Sequence, residues 1–219
     1  MIKAVIFDMD GLLIDSEPLW REGIIKIFNN LDISLTEENC KETMGMRIDE
    51  VVHYWTVKLH LKNIEHEKLV NEIVDEVIRL INEKGEVLKG VHEIIKLVNS
   101  ENIPMAIASS SPTKLINAVL EKIDIKEKMQ VIFSAEFESH GKPHPSVYIS
   151  TANKLGVHPN ECLAFEDSPN GVLSAKSAKM KCVAVPEHSM QGDKRYGIAD
   201  LVIHSLKDFT LEHLKTLEK

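Results

Sequence analysis

The stretch AVIFDMDG, residues 4–11, joins a run of four apolar residues directly to two acidic residues. Four consecutive apolar residues are typical of a strand that is covered on both faces of a parallel sheet. Asp8 and Asp10 then place two carboxylates at the end of that strand. Because a carboxylate that leaves water is costly unless something compensates it, this junction indicates either a solvated turn or a site for a cation and a reaction.

Short apolar runs of the same kind recur along the chain. They are MAIAS (105–109), VIFS (131–134), CLAF (162–165), CVAV (182–185) and LVIH (201–204). Helical patterns lie between most of them, at 91–100, 111–123, 145–156 and 168–180. Strands that alternate with helices predict right-handed crossovers and a parallel sheet. We therefore predict an α/β fold with a Rossmann-like parallel sheet and helices on both of its faces.

One interval, residues 15–84, contains helical patterns and no convincing strand. Its clearest patterns, EPLWREGIIKIFNNL (17–31) and EHEKLVNEIVDEVIRLINEK (65–84), carry apolar residues at three- and four-residue spacing. We predict an α-helical module inserted after the first strand. The predicted division is a core of residues 1–14 and 85–219 and a helical cap of residues 15–84.

Composition limits the classes of partner and compartment. The chain has 219 residues, 43% of them apolar, and a formal net charge of −8. A negative chain disfavours non-specific binding of nucleic acid or anionic lipid, although a local site can still attract a small anion. The three cysteines form no Cys-x-x-Cys pair, which argues against structural zinc and a disulfide framework. We expect a cytoplasmic protein with reduced thiols, no membrane span and no need for more than a monomer.

The residues that follow the predicted strands share one chemistry. In open parallel sheets, ligands bind beyond the carboxyl ends of the strands. The polar residues there are Asp8 and Asp10, then Ser109, Ser110 and Ser111, then Lys142 in a Gly-Lys-Pro loop, then Glu166 and Asp167. Carboxylates suit Mg²⁺, while hydroxyls, backbone N–H groups and a lysine suit phosphate oxygens. The set therefore predicts a magnesium ion and a phosphate at one rim.

The spacing within Asp8-Met9-Asp10-Gly11 has a mechanistic use. One carboxylate can attack phosphorus as a nucleophile and form an aspartyl-phosphate. A second carboxylate two residues away can protonate the leaving oxygen and later accept a proton from water. Gly11 allows the backbone to turn there without a steric cost.

These motifs together resemble the haloacid dehalogenase-like hydrolase superfamily, over essentially the whole chain. Its pattern of Asp-x-Asp, Ser or Thr, Lys and an acidic pair is matched in order. DMDGLLIDSE, GKPHP and FEDSPNG resemble the branch of β-phosphoglucomutases and small sugar-phosphate phosphatases. Within that branch, FDMDGLLIDSEPLW with GMRIDEVV (45–52) is most similar to the group of hexitol and 2-deoxyglucose-6-phosphate phosphatases.

The resemblance implies a role for each matching residue of the core. Asp8 would be the nucleophile and a magnesium ligand. Asp10 would be the general acid/base, with its main-chain carbonyl on the metal. Ser109 and the Ser110 backbone would hold the phosphoryl group, and Lys142 would stabilise its charge.

Three further residues receive implied roles. Asp167 would bind Mg²⁺, and Glu166 would be either a direct ligand or a partner of the ligands. In the cap, Arg47 would reach substrate oxygens. Trp20 is interpreted as cap packing, and Asp15 as a helix cap.

The expected activity is a magnesium-dependent phosphatase that acts on small sugar or polyol phosphates. The alternative is a β-phosphoglucomutase-like phosphotransferase, which would use the same aspartyl-phosphate. Mutases of this branch carry a histidine twelve residues after the nucleophile, where this chain has Trp20, and this departure favours the phosphatase. A dehalogenase would need neither Asp10 nor a magnesium ligand, and both are present here. A phosphonate hydrolase would need a buried cap lysine, and nothing in the sequence marks one. A module that only binds phosphosugars would gain nothing from an acid/base at Asp10.

Overall fold

The structure is a computed structural model and describes residues 1–43 and 45–218. Six parallel strands form one sheet in the order β3-β2-β1-β4-β5-β6. The strands are β1 (Ala4–Phe7), β2 (Met105–Ser109), β3 (Val131–Ser134), β4 (Cys162–Glu166), β5 (Lys181–Ala184) and β6 (Leu201–Val202). This order is that of a Rossmann-like doubly wound sheet, so the predicted fold class is confirmed.

The first strand lies between two neighbours and fixes the site's position. Phe7 pairs with Ile107 of β2 on one side and with Phe165 of β4 on the other. All four residues of β1 are buried, as the uninterrupted apolar run predicts. Because the strands are parallel, the residues that follow β1, β2 and β4 emerge at the same edge of the sheet.

Helices cover both faces of the sheet. They are α5 (Val91–Ser100), α6 (Thr113–Lys122), α7 (Ser146–Leu155), α8 (Pro169–Ser177) and α9 (Leu211–Leu217). Alternate residues of β1 belong to different cores: Val5 and Phe7 pack into one, and Ala4 and Ile6 into the other. This alternation follows from the two-residue side-chain period of a strand.

In the described part of the interval between β1 and α5, the chain forms four helices. They are α1 (Glu17–Asn29), α2 (Glu37–Lys41), α3 (Ile48–Lys58) and α4 (His66–Lys84). Helices α1 and α4 pack closely, since a methyl group added at Gly23 would lie 2.8 Å from a methyl group of Val77. The two chain segments that join this helical interval to the sheet lie side by side. An isolated antiparallel bridge pairs Ile14 of the first segment with Val87 of the second. The division into a core and a cap at residues 15–84 stays a prediction.

The ends of several elements differ from the sequence patterns. The last strand is two residues long rather than four, and it lies at the edge of the sheet. The first cap helix ends at Asn29, two residues before the end of its pattern. Ser16 precedes α1 and makes no side-chain capping bond, and the expected cap, Asp15, is exposed. The Ser16 hydroxyl has a different partner, described below.

In the part of the chain that the structure describes, no helix combines the length and the apolar character that a membrane crossing requires. Cys40, Cys162 and Cys182 are buried free thiols.

Candidate active site

A cavity lies between the carboxyl edge of the sheet and the helices α1, α2 and α3. Its core side is formed by Asp8, Asp10, Ser109, Ser110, Ser111, Pro112, Lys142, Asp167 and Ser168. Its helical side is formed by Glu17, Trp20, Arg21, Ile24, Cys40, Thr43, Gly45, Met46, Ile48 and Val51. The structure therefore brings the predicted core residues to one cavity, with the exception of Glu166, which lies behind it.

Asp8 follows β1 and is held firmly in place. Its backbone N–H donates to the carbonyl of Phe165 at 3.0 Å, which continues the pairing of β1 with β4. The residue is 6% exposed, and its Oδ1 accepts a hydrogen bond from Lys142 Nζ at 2.6 Å. A buried carboxylate with one fixed oxygen leaves the other oxygen free to act as a nucleophile.

Lys142 is the cation at the centre of this rim. Its ammonium group donates to Asp8, to Glu166 Oε1 at 2.5 Å and to the carbonyl of Ala108 at 3.1 Å. Burial by itself lowers the pKa of Lys142, but the charges of Asp8 and Glu166 outweigh burial and hold that pKa above its usual value. Lys142 is therefore charged at neutral pH.

Glu166 is completely buried and is bound from several directions. In addition to Lys142, the hydroxyl of Tyr148 donates to its Oε1 at 2.5 Å, and the Ser168 hydroxyl donates to its Oε2 at 3.3 Å. A methyl group at Gly171 would lie 1.9 Å from Oε2, so the start of α8 requires glycine beside this carboxylate. These contacts orient Lys142 and account for a carboxylate at the end of β4.

Asp10 is surrounded by hydrogen-bond donors. Oδ1 accepts from the Ser16 hydroxyl at 2.7 Å and from Trp20 Nε1 at 3.0 Å. Oδ2 accepts from the Ser111 hydroxyl at 2.7 Å and from the Ser109 hydroxyl at 3.4 Å. The donors come from both sides of the cavity, so the orientation of Asp10 depends on how the helices sit over the core.

The serine run after β2 forms a tight turn on the core side of the cavity. The Ser111 N–H donates to the Ser109 hydroxyl at 3.0 Å, and the Ser134 hydroxyl donates to the Ser111 carbonyl at 2.6 Å. Ser110 lines the cavity. Hydroxyl and amide donors grouped in this way can bind phosphate oxygens.

Three carboxylates fit a divalent cation. Asp8, Glu166 and Asp167 each offer an oxygen, and these oxygens lie within 4.8 Å of one another. Gly11, at φ +71°, makes room for one of them, since a methyl group there would lie 2.2 Å from Asp167 Oδ2. Carboxylate oxygens are the ligands that Mg²⁺ prefers.

The electrostatics of these acids agree with a cation site. Burial raises the pKa of Asp8 to about 8; Lys142 opposes this rise, and the charges of Glu166 and Asp10 add to it. Burial, followed by the charges of Asp8 and Glu166, holds the pKa of Asp167 well above its usual value. A cation among these carboxylates would favour their ionised forms.

Arg47 connects the segment before α3 to the core. Its guanidinium donates to the carbonyls of Ala135 at 3.1 Å and Glu138 at 2.7 Å, in the loop that follows β3, and it pairs with Asp49 at 2.7 Å. Arg47 is absent from the described residues that line the cavity. The guanidinium therefore ties the segment before α3 to the core, and a substrate contact by this residue stays a prediction.

Several residues of the site were missed by the sequence analysis. Trp20 packs against the apolar core as expected, but its indole N–H also reaches Asp10. Ser16 was given no role at the site by the sequence analysis, and Tyr148 was not singled out. The one available signal was spacing, because Ser16 and Trp20 are four residues apart at the start of a helix and so share a face.

Glu17 and Arg21 add a polar pair to the helical side of the cavity. They lie one turn apart on α1, with Arg21 Nη1 3.9 Å from Glu17 Oε2. Burial, together with the nearby Asp10 charge, raises the pKa of Glu17 to about 7. This carboxyl is therefore partly protonated near neutral pH and can both donate and accept hydrogen bonds.

Comparisons with known proteins all point to the same family. Residues 5–185 match the family model for haloacid dehalogenase-like hydrolases. The chain is 37% identical over 214 residues to hexitol phosphatase B of Escherichia coli (strain K12), covering 97% of this chain and 96% of that protein. It is 31% identical to the phosphorylated carbohydrates phosphatase of Thermotoga maritima, covering 88% and 89%.

A solved structure extends the match to three dimensions. The crystal structure of β-phosphoglucomutase from Clostridium difficile superimposes with a TM-score of 0.85 at 25% identity, covering 99% of this chain and 97% of that one. Both the core and the helices over it therefore share the arrangement of that enzyme.

Proposed function

Because this chain belongs to the haloacid dehalogenase-like hydrolase family, we propose that it is a magnesium-dependent phosphatase of small sugar or polyol phosphates, acting through an aspartyl-phosphate on Asp8. The observation that carries the proposal is the pairing of Asp8 with Lys142 at 2.6 Å, on the core side of a cavity that Asp10 also lines. The likeness to hexitol phosphatase B supports the substrate class.

In the first step, Asp8 attacks phosphorus and the bond between phosphorus and the sugar or polyol oxygen breaks. Asp10 gives its proton to that oxygen, so the product leaves as an alcohol rather than as an alkoxide. Lys142 and the donors of Ser109 and Ser110 stabilise the charge on the phosphoryl oxygens.

In the second step, a water molecule attacks the phosphorus of the aspartyl-phosphate. Asp10, now ionised, takes a proton from that water, and the bond from phosphorus to Asp8 breaks. Inorganic phosphate leaves, and both carboxylates return to their starting states.

Asp8 and Asp167 are the carboxylates that would hold Mg²⁺, together with the main-chain carbonyl of Asp10. A bound Mg²⁺ supplies positive charge that reduces the repulsion between an anionic substrate and an anionic nucleophile. Glu166 suits the role of a partner of the ligands, because its oxygens are already bound by Lys142, Tyr148 and Ser168.

The helical module of residues 15–84 would act as a cap. In support, residues of α1, α2 and α3 line the cavity, and an isolated bridge pairs Ile14 with Val87 where the chain enters and leaves the module. Opening of such a module admits substrate, and closing excludes bulk water before the chemical step. The polar pair of Glu17 and Arg21, set among apolar side chains, is suited to select among sugar and polyol hydroxyls.

The assembly and compartment proposed are a monomer in the cytoplasm. The cysteines in the described residues are free thiols, which fits a reducing compartment. The partner is a small phosphorylated sugar or polyol. Nucleic acid and membrane are not proposed as partners of a chain with a net charge of −8.

The test is phosphate release with Mg²⁺ across a panel of hexitol phosphates, hexose 6-phosphates and 2-deoxyglucose 6-phosphate. We expect turnover by the wild type and a loss of ~10³-fold or more in Asp8→Asn. Asp32→Asn is the matched control, because Asp32 is exposed in a cap turn at φ 59°, which asparagine also tolerates. Conversion of β-glucose 1-phosphate to glucose 6-phosphate without phosphate release would instead assign the mutase alternative.

A further inference from the structure

We propose that Trp20 is a positioning residue for the acid/base Asp10: its indole N–H fixes Oδ1 as an acceptor, so that Oδ2 is the oxygen that carries the transferred proton. This inference rests on the phosphatase function proposed above. It concerns a residue whose sequence pattern indicated only cap packing.

The contact is specific in its geometry. Trp20 Nε1 lies 3.0 Å from Asp10 Oδ1, and the Ser16 hydroxyl donates to the same oxygen at 2.7 Å. The Trp20 ring packs against the main apolar core, which holds the indole in this orientation. Oδ2 points to the phosphate side of the cavity, where Ser111 and Ser109 are its partners.

The chemistry of the donors separates the two carboxylate oxygens. An indole N–H can only donate, whereas a serine hydroxyl can rotate and either donate or accept. A proton on Oδ1 would face the Trp20 N–H and break that hydrogen bond. A proton on Oδ2 keeps it, because the hydroxyls of Ser111 and Ser109 can turn to accept. The proton that moves to the leaving oxygen therefore departs from Oδ2.

The position of Trp20 in the chain links this effect to the cap. Trp20 lies on α1, inside the predicted cap, while Asp10 belongs to the core. The indole bond therefore forms only when α1 sits over the sheet edge as it does here. Proton transfer is thereby confined to the closed arrangement, in which bulk water is excluded.

The hydrogen bond can be tested by NMR, independently of activity. The chain has two tryptophans, so an ¹H–¹⁵N spectrum contains two indole signals, which Trp20→Phe assigns. Trp55 is an internal reference, because its Nε1 is buried without a hydrogen-bond partner among the described residues. We expect Asp10→Ala, which removes both acceptor oxygens, to move the Trp20 proton signal upfield and to leave the Trp55 signal in place. An unchanged Trp20 signal would overturn the inference.

The functional consequence is tested by kinetics of Trp20→Phe, with Trp55→Phe as the matched control. Loss of a hydrogen bond to a charged group predicts a fall in kcat of about 10-fold or more on a polyol phosphate, with KM within about 2-fold. The first-turnover release of p-nitrophenol from p-nitrophenyl phosphate should change much less, because that leaving group needs no proton. Trp55→Phe should change none of these values by more than about 2-fold.

The outcomes separate this inference from the phosphatase proposal. An unchanged kcat in Trp20→Phe, or equal losses on both esters in the first turnover, would overturn the positioning role while phosphate release by the wild type still supports the phosphatase. If the wild type releases no phosphate from any ester, the function proposal fails, and the NMR test of the hydrogen bond still stands.

Discussion

Lys142 is the one cation in direct contact with both Asp8 and Glu166 within the described residues. Its removal would leave two buried carboxylates without their charge partner, which costs several kcal/mol. We expect Lys142→Met to lower the free energy of unfolding by about 3 kcal/mol, measured with urea. Turnover should fall by ~100-fold or more, because the phosphoryl charge also loses its partner.

The matched control for this prediction is Lys128→Met, which removes an exposed ammonium group from the short 3-10 helix Lys126–Lys128 before β3. It should leave stability within about 0.5 kcal/mol of the wild type. Wild-type turnover in Lys142→Met would contradict the role given to this lysine.

Glu17 gives a prediction about pH and stability. Its pKa is raised from 4.5 to about 7 in the folded chain, so folding favours the protonated form. Between pH 4.5 and about pH 7, the Glu17 carboxyl ionises in the unfolded chain but stays protonated in the folded chain. The free energy of unfolding therefore falls as the pH rises through this range. Glu17→Gln removes that cost. We expect the variant to be more stable than the wild type at pH 8 by about 1–3 kcal/mol, and equal to it at pH 4.

Urea unfolding in EDTA at the two pH values measures this difference without a contribution from metal. Glu72→Gln, at an exposed position of α4, is the control and should show no such pH dependence. A stabilisation of Glu17→Gln that is equal at both pH values would contradict the assignment of the raised pKa to this carboxyl.

At the level of helices and loops, Arg47 has two possible roles: it ties the cap to the core, or it contacts the substrate. If its guanidinium ties the segment before α3 to the carbonyls of Ala135 and Glu138, its loss loosens the cap for every substrate. We expect Arg47→Ala to lower kcat/KM by ~10-fold or more on a hexitol phosphate and by the same factor on acetyl phosphate. A loss confined to the hexitol phosphate would instead support the direct substrate contact predicted from the sequence.

The core elements were predictable because each is encoded locally. The runs at 4–7, 105–109 and 131–134 coincide with β1, β2 and β3. The acids and the lysine were predictable because strand ends of a parallel sheet meet at one edge. The contacts of Trp20 and Arg47 were not, because they join segments on opposite sides of the cavity and depend on how the helices sit over the sheet.

At the scale of the whole molecule, the cluster of Asp8, Glu166 and Asp167 links metal binding to stability. Mg²⁺ at ten times its Kd would add about 1.4 kcal/mol, which corresponds to a rise in Tm of about 3–6 °C for a chain of this size. We expect this rise in the wild type and not in Asp167→Asn, measured by thermal unfolding with and without MgCl₂. An equal rise in both proteins would show that Mg²⁺ binds elsewhere.

The aspartyl-phosphate mechanism is tested most directly by capture of the phosphoryl group on Asp8. Asp10→Asn should still accept a phosphoryl group from p-nitrophenyl phosphate, whose leaving group needs no acid, but it should release that group slowly because it lacks the base. This mechanism predicts a burst of p-nitrophenol equal to the enzyme concentration, and a hydroxylamine-labile phosphoryl group on the peptide that contains Asp8. Phosphate release without a burst, or a phosphoryl group on any other residue, would contradict it.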